Sequence, residues 1–123
     1  MAKLVFILED NNDLTELYEL ILEEEDYEIL SFSTIAEFRE HSTEVPDLYL
    51  LDVMLPDGNG LELCKELNAH PSTAHVPIIM VSAHSDVEDI KEQCPTADFV
   101  PKPFDIDHLT QRIASNIISA GEK

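Results

Sequence analysis

Cationic side chains are scarce in this chain. Seven Lys and Arg stand against 26 Asp and Glu, a net charge of −19. Such a surface repels phosphate backbones and anionic headgroups, which argues against nucleic acid or a membrane face as a direct partner. A basic or metal-bridged partner fits it, as does a salty cytoplasm. Much of the charge lies in the Glu23-Glu24-Glu25-Asp26 run, which reads as a solvated stretch. Long apolar runs are missing as well, and none approaches the ~20 residues of a membrane span. Met1-Ala2-Lys3 leads into five apolar residues and then acid, without the layout of a secretory leader. Cysteine is limited to Cys64 and Cys94, in different segments and without metal-ligand spacing. They are expected as small buried or half-buried thiols in a reducing compartment. With no repeats, linkers or low-complexity segments, 123 residues predict one domain, 1–123, soluble and cytoplasmic.

What is present is organised around Asp47 to Leu61. Leu48 to Leu51 is an apolar run too short for a helix, and it reads as a strand buried on both faces. It ends at Asp52, after which the chain turns through Pro56, Gly58 and Gly60. Leu4 to Leu8 is a second such run and ends in Glu9-Asp10. Asn11-Asn12-Asp13 offers N-cap side chains to a helix whose apolar stripe is Leu14, Leu17, Tyr18, Ile21 and Leu22. Residues 27–32 alternate and suit an edge strand. Thr34 and Glu37 form a capping box for a short helix carrying Ile35, Ala36 and Phe38. A third helix carries Leu61, Leu63, Cys64 and Leu67 and stops before Pro71.

Val76 to Val81 is the next strand, with Ser82 following it. Ser85-Asp86-Val87-Glu88 reads as a capping box for a helix with Val87 and Ile90 inward, closed by Pro95. Asp98 to Val100 is a brief fifth strand leading to Lys102. Asp105 caps a last helix with the stripe Ile106, Leu109, Ile113 and Ile117. Strands alternating with helices force parallel pairing and right-handed crossovers. The predicted fold is α/β, a flavodoxin-like (βα)5 three-layer sandwich with a parallel five-stranded sheet of order 2-1-3-4-5.

In that order the strand tips converge, bringing together Glu9, Asp10, Asp52, Ser82 and Lys102. Singly, each has an ordinary explanation: acids are solvated, Ser starts turns, and Lys is a surface residue. Their placement on one rim of one sheet is harder to ascribe to chance. Crowded carboxylates repel and must take up protons or share a cation. Acid oxygens with open coordination suit a hard divalent ion such as Mg²⁺, or Mn²⁺. With Lys102 as a charge for an anion and Ser82 as a hydroxyl donor, the set suits phosphoryl transfer to Asp52.

Glu9-Asp10, the Asp52-Val53-Met54-Leu55-Pro56-Asp57-Gly58 stretch, Ser82-Ala83 and Lys102-Pro103-Phe104 resemble the receiver domain of two-component response regulators, in order and over the whole chain. The resemblance implies that Asp52 accepts a phosphoryl group from the phosphohistidine of a sensor histidine kinase or histidine phosphotransfer protein. It implies Mg²⁺ ligation by Asp10, Asp52 and the Met54 backbone carbonyl, with Glu9 acting largely through water. Ser82 and Lys102 would grip the phosphoryl oxygens, and the Lys102-Pro103 bond would be cis. Phe99 stands where the family carries its switch aromatic. A downstream protein target, or a second copy of the chain, would read the face of the fourth helix, fifth strand and fifth helix, around Ile90 to Phe99 and Phe104 to Arg112.

Two features depart from the family pattern. The segment from Ser82 to Lys102 is short, and Cys94-Pro95-Thr96-Ala97 lacks a glycine common before the fifth strand. Nothing after residue 119 reads as an output domain, so a stand-alone receiver or a fragment is expected. The chain is not expected to be a turnover enzyme, beyond catalysing its own phosphorylation and dephosphorylation. The alternative is a degenerate receiver that binds protein without phosphorylation, which the presence of all the site residues disfavours. A flavodoxin-type phosphate loop is disfavoured by the acids after the first strand. A haloacid-dehalogenase-type site needs a second Asp where Met54 stands.

Overall fold

The computed structural model describes residues 3–41 and 44–121, with side chains through residue 118. Met1 and Ala2, read above for a leader, lie outside the described residues. Strands β1 (Leu4–Leu8), β2 (Glu28–Phe32), β3 (Leu48–Leu51), β4 (Ile78–Ala83) and β5 (Asp98–Lys102) alternate with helices α1 (Asn12–Glu24), α2 (Ile35–Arg39), α3 (Gly60–Ala69), α4 (Val87–Gln93) and α5 (Ile106–Gly121). The five strands pair in parallel in the order β2-β1-β3-β4-β5, the order expected.

Alternate residues of the central strands feed two separate cores. Phe6, Leu8, Tyr49, Leu51, Ile78 and Met80 face α2, α3 and α4. Val5, Ile7, Leu48, Leu50, Ile79 and Val81 face α1 and α5, whose stripe Leu109, Ile113 and Ile117 is buried. This two-sided burial is why those strands are continuous apolar runs instead of alternating ones. On the first face the Phe6 ring meets Phe32, Phe38 and Tyr49 edge-on at 5.4, 6.2 and 6.0 Å. The edge strand β2 is mostly exposed, as its polar alternation predicts. Arg112 Nε and Asn116 Nδ2 both donate to Asp98 Oδ2, pinning α5 to β5.

Helix starts follow local chemistry with one exception. Asn11 Oδ1 accepts from Leu14 N, Thr34 Oγ1 from Glu37 N, and Asp105 Oδ1 from Asp107 N and His108 N. Glu37 reaches back to Ser33 N, one residue beyond the N-cap N–H that a strict capping box uses. The exception is α4. Ser85 does not cap it; a 3-10 turn, His84–Asp86, leads in, and no side chain caps the helix start. The Asp86 carboxylate is engaged by Ser82 instead.

Other expectations need correction. β4 runs two residues later than predicted, so Ser82 lies inside the strand, paired in register with Pro101. Lys102 likewise belongs to β5, not to the loop after it. Ile106 is 48% exposed: it opens α5, and burial of the stripe begins only at Leu109. Cys64 and Cys94 are not thiols but a disulfide joining α3 to the residue after α4, with Cα atoms 6.4 Å apart. Both are buried, as expected; what the spacing hid is that adjacent helices on one sheet face bring them together.

Candidate functional site

Asp52 is the first residue beyond β3, whose hydrogen-bonded neighbours are β1 and β4. Its N–H donates to the Leu8 carbonyl at 3.2 Å, so the pairing of β3 with β1 carries through to the acid. The chain then folds back: Met54–Leu55 pairs antiparallel with Gly58–Asn59, and Gly60 N donates to the Val53 carbonyl at 2.7 Å. A Cβ at Gly60 would overlap the Asp52 carbonyl, so only glycine lets the start of α3 pass this close. Asn59 caps α3 by accepting from Leu61 N at 2.7 Å.

Asp57 ties the same loop sideways. Its two oxygens accept from Ile35 N and Ala36 N at 2.9 Å each, which holds its carboxyl below the ordinary value. The backbone around Met54 is therefore clamped between α2 and α3, while Met54 as a residue is 78% exposed.

Four of the predicted residues meet around Asp52. Asp52 is 8% exposed and Glu9 3%. Lys102 Nζ bridges them, 2.9 Å from Glu9 Oε1 and 3.0 Å from Asp52 Oδ2. Glu9 Oε2 also accepts from Asn11 N at 3.2 Å. Burial is the largest influence on Glu9; the Lys102 hydrogen bond opposes it, the Asp52 charge adds to it, and the carboxyl stays above its ordinary value. For Lys102, burial pulls downward, but the bonds to both acids prevail and hold the ammonium above its ordinary value. The cation that crowded carboxylates were expected to share is, in part, this lysine. The Lys102–Pro103 peptide is cis, the isomer the family resemblance implies.

Asp10, exposed at the rim, completes a set in which one carboxylate oxygen each from Glu9, Asp10 and Asp52 lies within 4.8 Å of the others. Three hard oxygen donors with open sides fit a small divalent cation that keeps part of its water shell.

Ser82 closes the opposite side. It is 3% exposed, and its hydroxyl donates to Asp86 Oδ2 at 2.6 Å, with Asp52 Oδ1 at 3.4 Å. Phe99 lies outside this cluster: half-buried on β5, its ring lies 6.5 Å from that of His84. Sequence reasoning missed three contributors. They are Asp86; Asp57; and Tyr18, stacked on Phe104 at 5.7 Å. Burial, reinforced by the charges of Glu9 and Asp52, pushes the Tyr18 phenol up. For Asp57 a signal existed, since an acid beside the Gly58-Asn59-Gly60 turn can cap a neighbouring helix. For Asp86 the capping-box reading misdirected it.

Residues 5–114 match the family model for the response regulator receiver domain. The chain is 36% identical over 112 residues to the response regulator ArlR of Staphylococcus saprophyticus, covering 89% of this chain and 50% of the relative. It is also 36% identical to the transcriptional regulatory protein GltR of Pseudomonas aeruginosa, covering 89% and 46%. The chain thus spans about half the length of the curated relatives it matches. A CheY-like response regulator receiver domain protein from Methanospirillum hungatei superposes with a TM-score of 0.87 at 26% identity, covering 99% of this chain and 98% of that one. The receiver domain of the sensor histidine kinase PA1611 from Pseudomonas aeruginosa, solved with a magnesium ion coordinated in the active-site cleft, superposes at 0.81 with 25% identity, covering 95% and 98%. Among the described residues no helix is long and apolar enough to cross a membrane. The sheet order, the acid at the tip of β3 and the match over residues 5–114 agree: this chain belongs to the response regulator receiver domains of two-component signalling.

Proposed function

We propose that residues 1–123 form one receiver domain in which Asp52 is the phosphoryl acceptor. The observation that carries this reading is a buried carboxylate at a central strand tip, with an ammonium at 3.0 Å, a hydroxyl at 3.4 Å and two further acids beside it. The donor would be the phosphohistidine of a sensor histidine kinase or a histidine phosphotransfer protein. An Asp52 oxygen attacks phosphorus in line, the P–N bond breaks as the P–O bond forms, and the imidazole leaves neutral with its proton on the other ring nitrogen. Lys102, already beside the Asp52 carboxylate, stabilises negative charge on the phosphoryl oxygens. Ser82 donates its hydroxyl to one of them.

Glu9, Asp10 and Asp52, with the Met54 carbonyl, would hold Mg²⁺ or Mn²⁺. Such an ion, when bound, offsets charge on the transferring group. The magnesium found in the PA1611 receiver domain supports this assignment. In the return to the unmodified acid, water attacks phosphorus, the P–O bond to Asp52 breaks, and carboxylate and phosphate separate.

In this reading the chain is a cytoplasmic signalling switch, not a turnover enzyme. Ser82 and Phe99 relay the state of Asp52 to the α4-β5-α5 face, which a downstream protein or a second copy would read. The test is intact-mass analysis after incubation with acetyl phosphate. One phosphoryl mass gained with Mg²⁺ and none in EDTA supports the reading; no adduct under either condition overturns it.

A further inference from the structure

Ser82 is a buried serine whose hydroxyl has two acids in reach, Asp86 Oδ2 at 2.6 Å and Asp52 Oδ1 at 3.4 Å. A hydroxyl carries a single proton, and it donates at full strength to one acceptor. The shorter contact takes it. Asp86 lies four residues further on, in the turn His84–Asp86 that precedes α4, and its carboxylate caps no backbone N–H there. An acid at a helix start ordinarily does so. Asp86 also forms no ion pair among the described residues. Its carboxylate is directed at Ser82.

We propose that Asp86 is a positioning residue, a latch on the Ser82 proton that sets how readily the Asp52 site takes up phosphoryl oxygens. This rests on the phosphoryl-acceptor reading given above. A phosphoryl oxygen on Asp52 must win the proton from Asp86. When it does, the bond between the end of β4 and the turn before α4 is lost, and Asp86 is left without its donor. Asp86 therefore opposes the phosphorylated form by about one charge-assisted hydrogen bond, roughly tenfold in an equilibrium constant. The same proton ties the strand tip to the start of α4, so one switching event is felt at both.

The test is a double-mutant cycle on the equilibrium affinity for beryllofluoride, an aspartyl-phosphate mimic, in the presence of Mg²⁺. Asp86→Ala should bind it about tenfold more tightly than wild type, and Asp86→Asn, which keeps an acceptor oxygen but no charge, should gain less. In a Ser82→Ala background, Asp86→Ala should change the affinity by less than about twofold, because the proton under dispute is gone. A merely structural role for Asp86 would lower the melting temperature and shift both backgrounds alike. An equal gain in both backgrounds, no gain or a loss would overturn the latch while leaving the acceptor reading intact. If Asp86→Ala does not fold, Asp86→Asn completes the cycle with the same sign. Failure of wild type itself to bind beryllofluoride would overturn the acceptor reading and the latch together.

Discussion

Lys102→Met is a sharp perturbation of the site, since it keeps most of the apolar stem and deletes the ammonium. A rim position alone predicts a tolerated change, because exposed ion pairs contribute about 0–1 kcal/mol. The partners argue otherwise. Lys102 has a side chain 28% exposed and bridges two carboxylates that are nearly inaccessible. Without the ammonium, the folded protein relieves the repulsion by putting a proton on Glu9, whose carboxyl burial already pushes up.

The cost of that proton bounds the loss of stability. From an ordinary value of 4.5, protonation at pH 7 costs about 3.5 kcal/mol at roughly 1.4 kcal/mol per pH unit. With some relief from solvent at the rim, Lys102→Met should lose about 2–3 kcal/mol at pH 7. A carboxyl with a raised folded value contributes stability in full below 4.5 and loses it as pH rises through that folded value. The gap between wild type and variant should therefore open with rising pH and nearly close by pH 4.5. Urea unfolding in EDTA at pH 5, 6 and 7 measures it, with unchanged m-values as the control. A loss of equal size at all three pH values, or none at pH 7, would refute the charge dependence argued here.

Mg²⁺ added to EDTA-treated protein should raise the melting temperature by mass action, by about 1.4 kcal/mol of stability at ten times Kd, and Asp10→Asn should lose most of that rise in the same thermal melt. Gly60→Ala drives a Cβ into the Asp52 carbonyl, so it should cost about 1–3 kcal/mol in urea and slow phosphorylation by acetyl phosphate; wild-type behaviour in both would contradict the tight approach. Cys64→Ser opens a cross-link between residues 30 apart, and should lower stability by about 3–4 kcal/mol, with wild type falling to a similar urea midpoint in dithiothreitol.

The frame of this domain was legible wherever burial leaves a local mark. Leu4–Leu8 and Leu48–Leu51 are unbroken apolar runs because helices cover both faces of their strands, and their terminal acids follow directly. That Glu9, Asp10, Asp52, Ser82 and Lys102 lie together could be read in advance because parallel topology carries the C-terminal ends of the strands to one rim. What stayed hidden depends on contacts distant in sequence. Cys64 and Cys94 carry no pairing signature in their spacing; only the side-by-side packing of α3 and α4 joins them. Their burial on one sheet face, Cys64 on α3 and Cys94 at the end of α4, was the available clue. Asp86 was hidden differently: Ser85-Asp86-Val87-Glu88 has the letters of a capping box built on Ser85 and Glu88, but a 3-10 turn leads into the helix and Asp86, the second letter, meets the buried Ser82 hydroxyl. Ile106 fits the α5 stripe by number, yet as the first residue of that helix it stays open to solvent.

Chemical mapping of the phosphoryl group decides whether Asp52 is the acceptor. After incubation with acetyl phosphate and Mg²⁺, borohydride reduces an aspartyl phosphate to homoserine, and peptide mass analysis locates the converted residue. Homoserine is expected at position 52 alone, and none in Asp52→Asn or in EDTA. Conversion at another acid, or an undiminished phosphoryl adduct on Asp52→Asn, would contradict it.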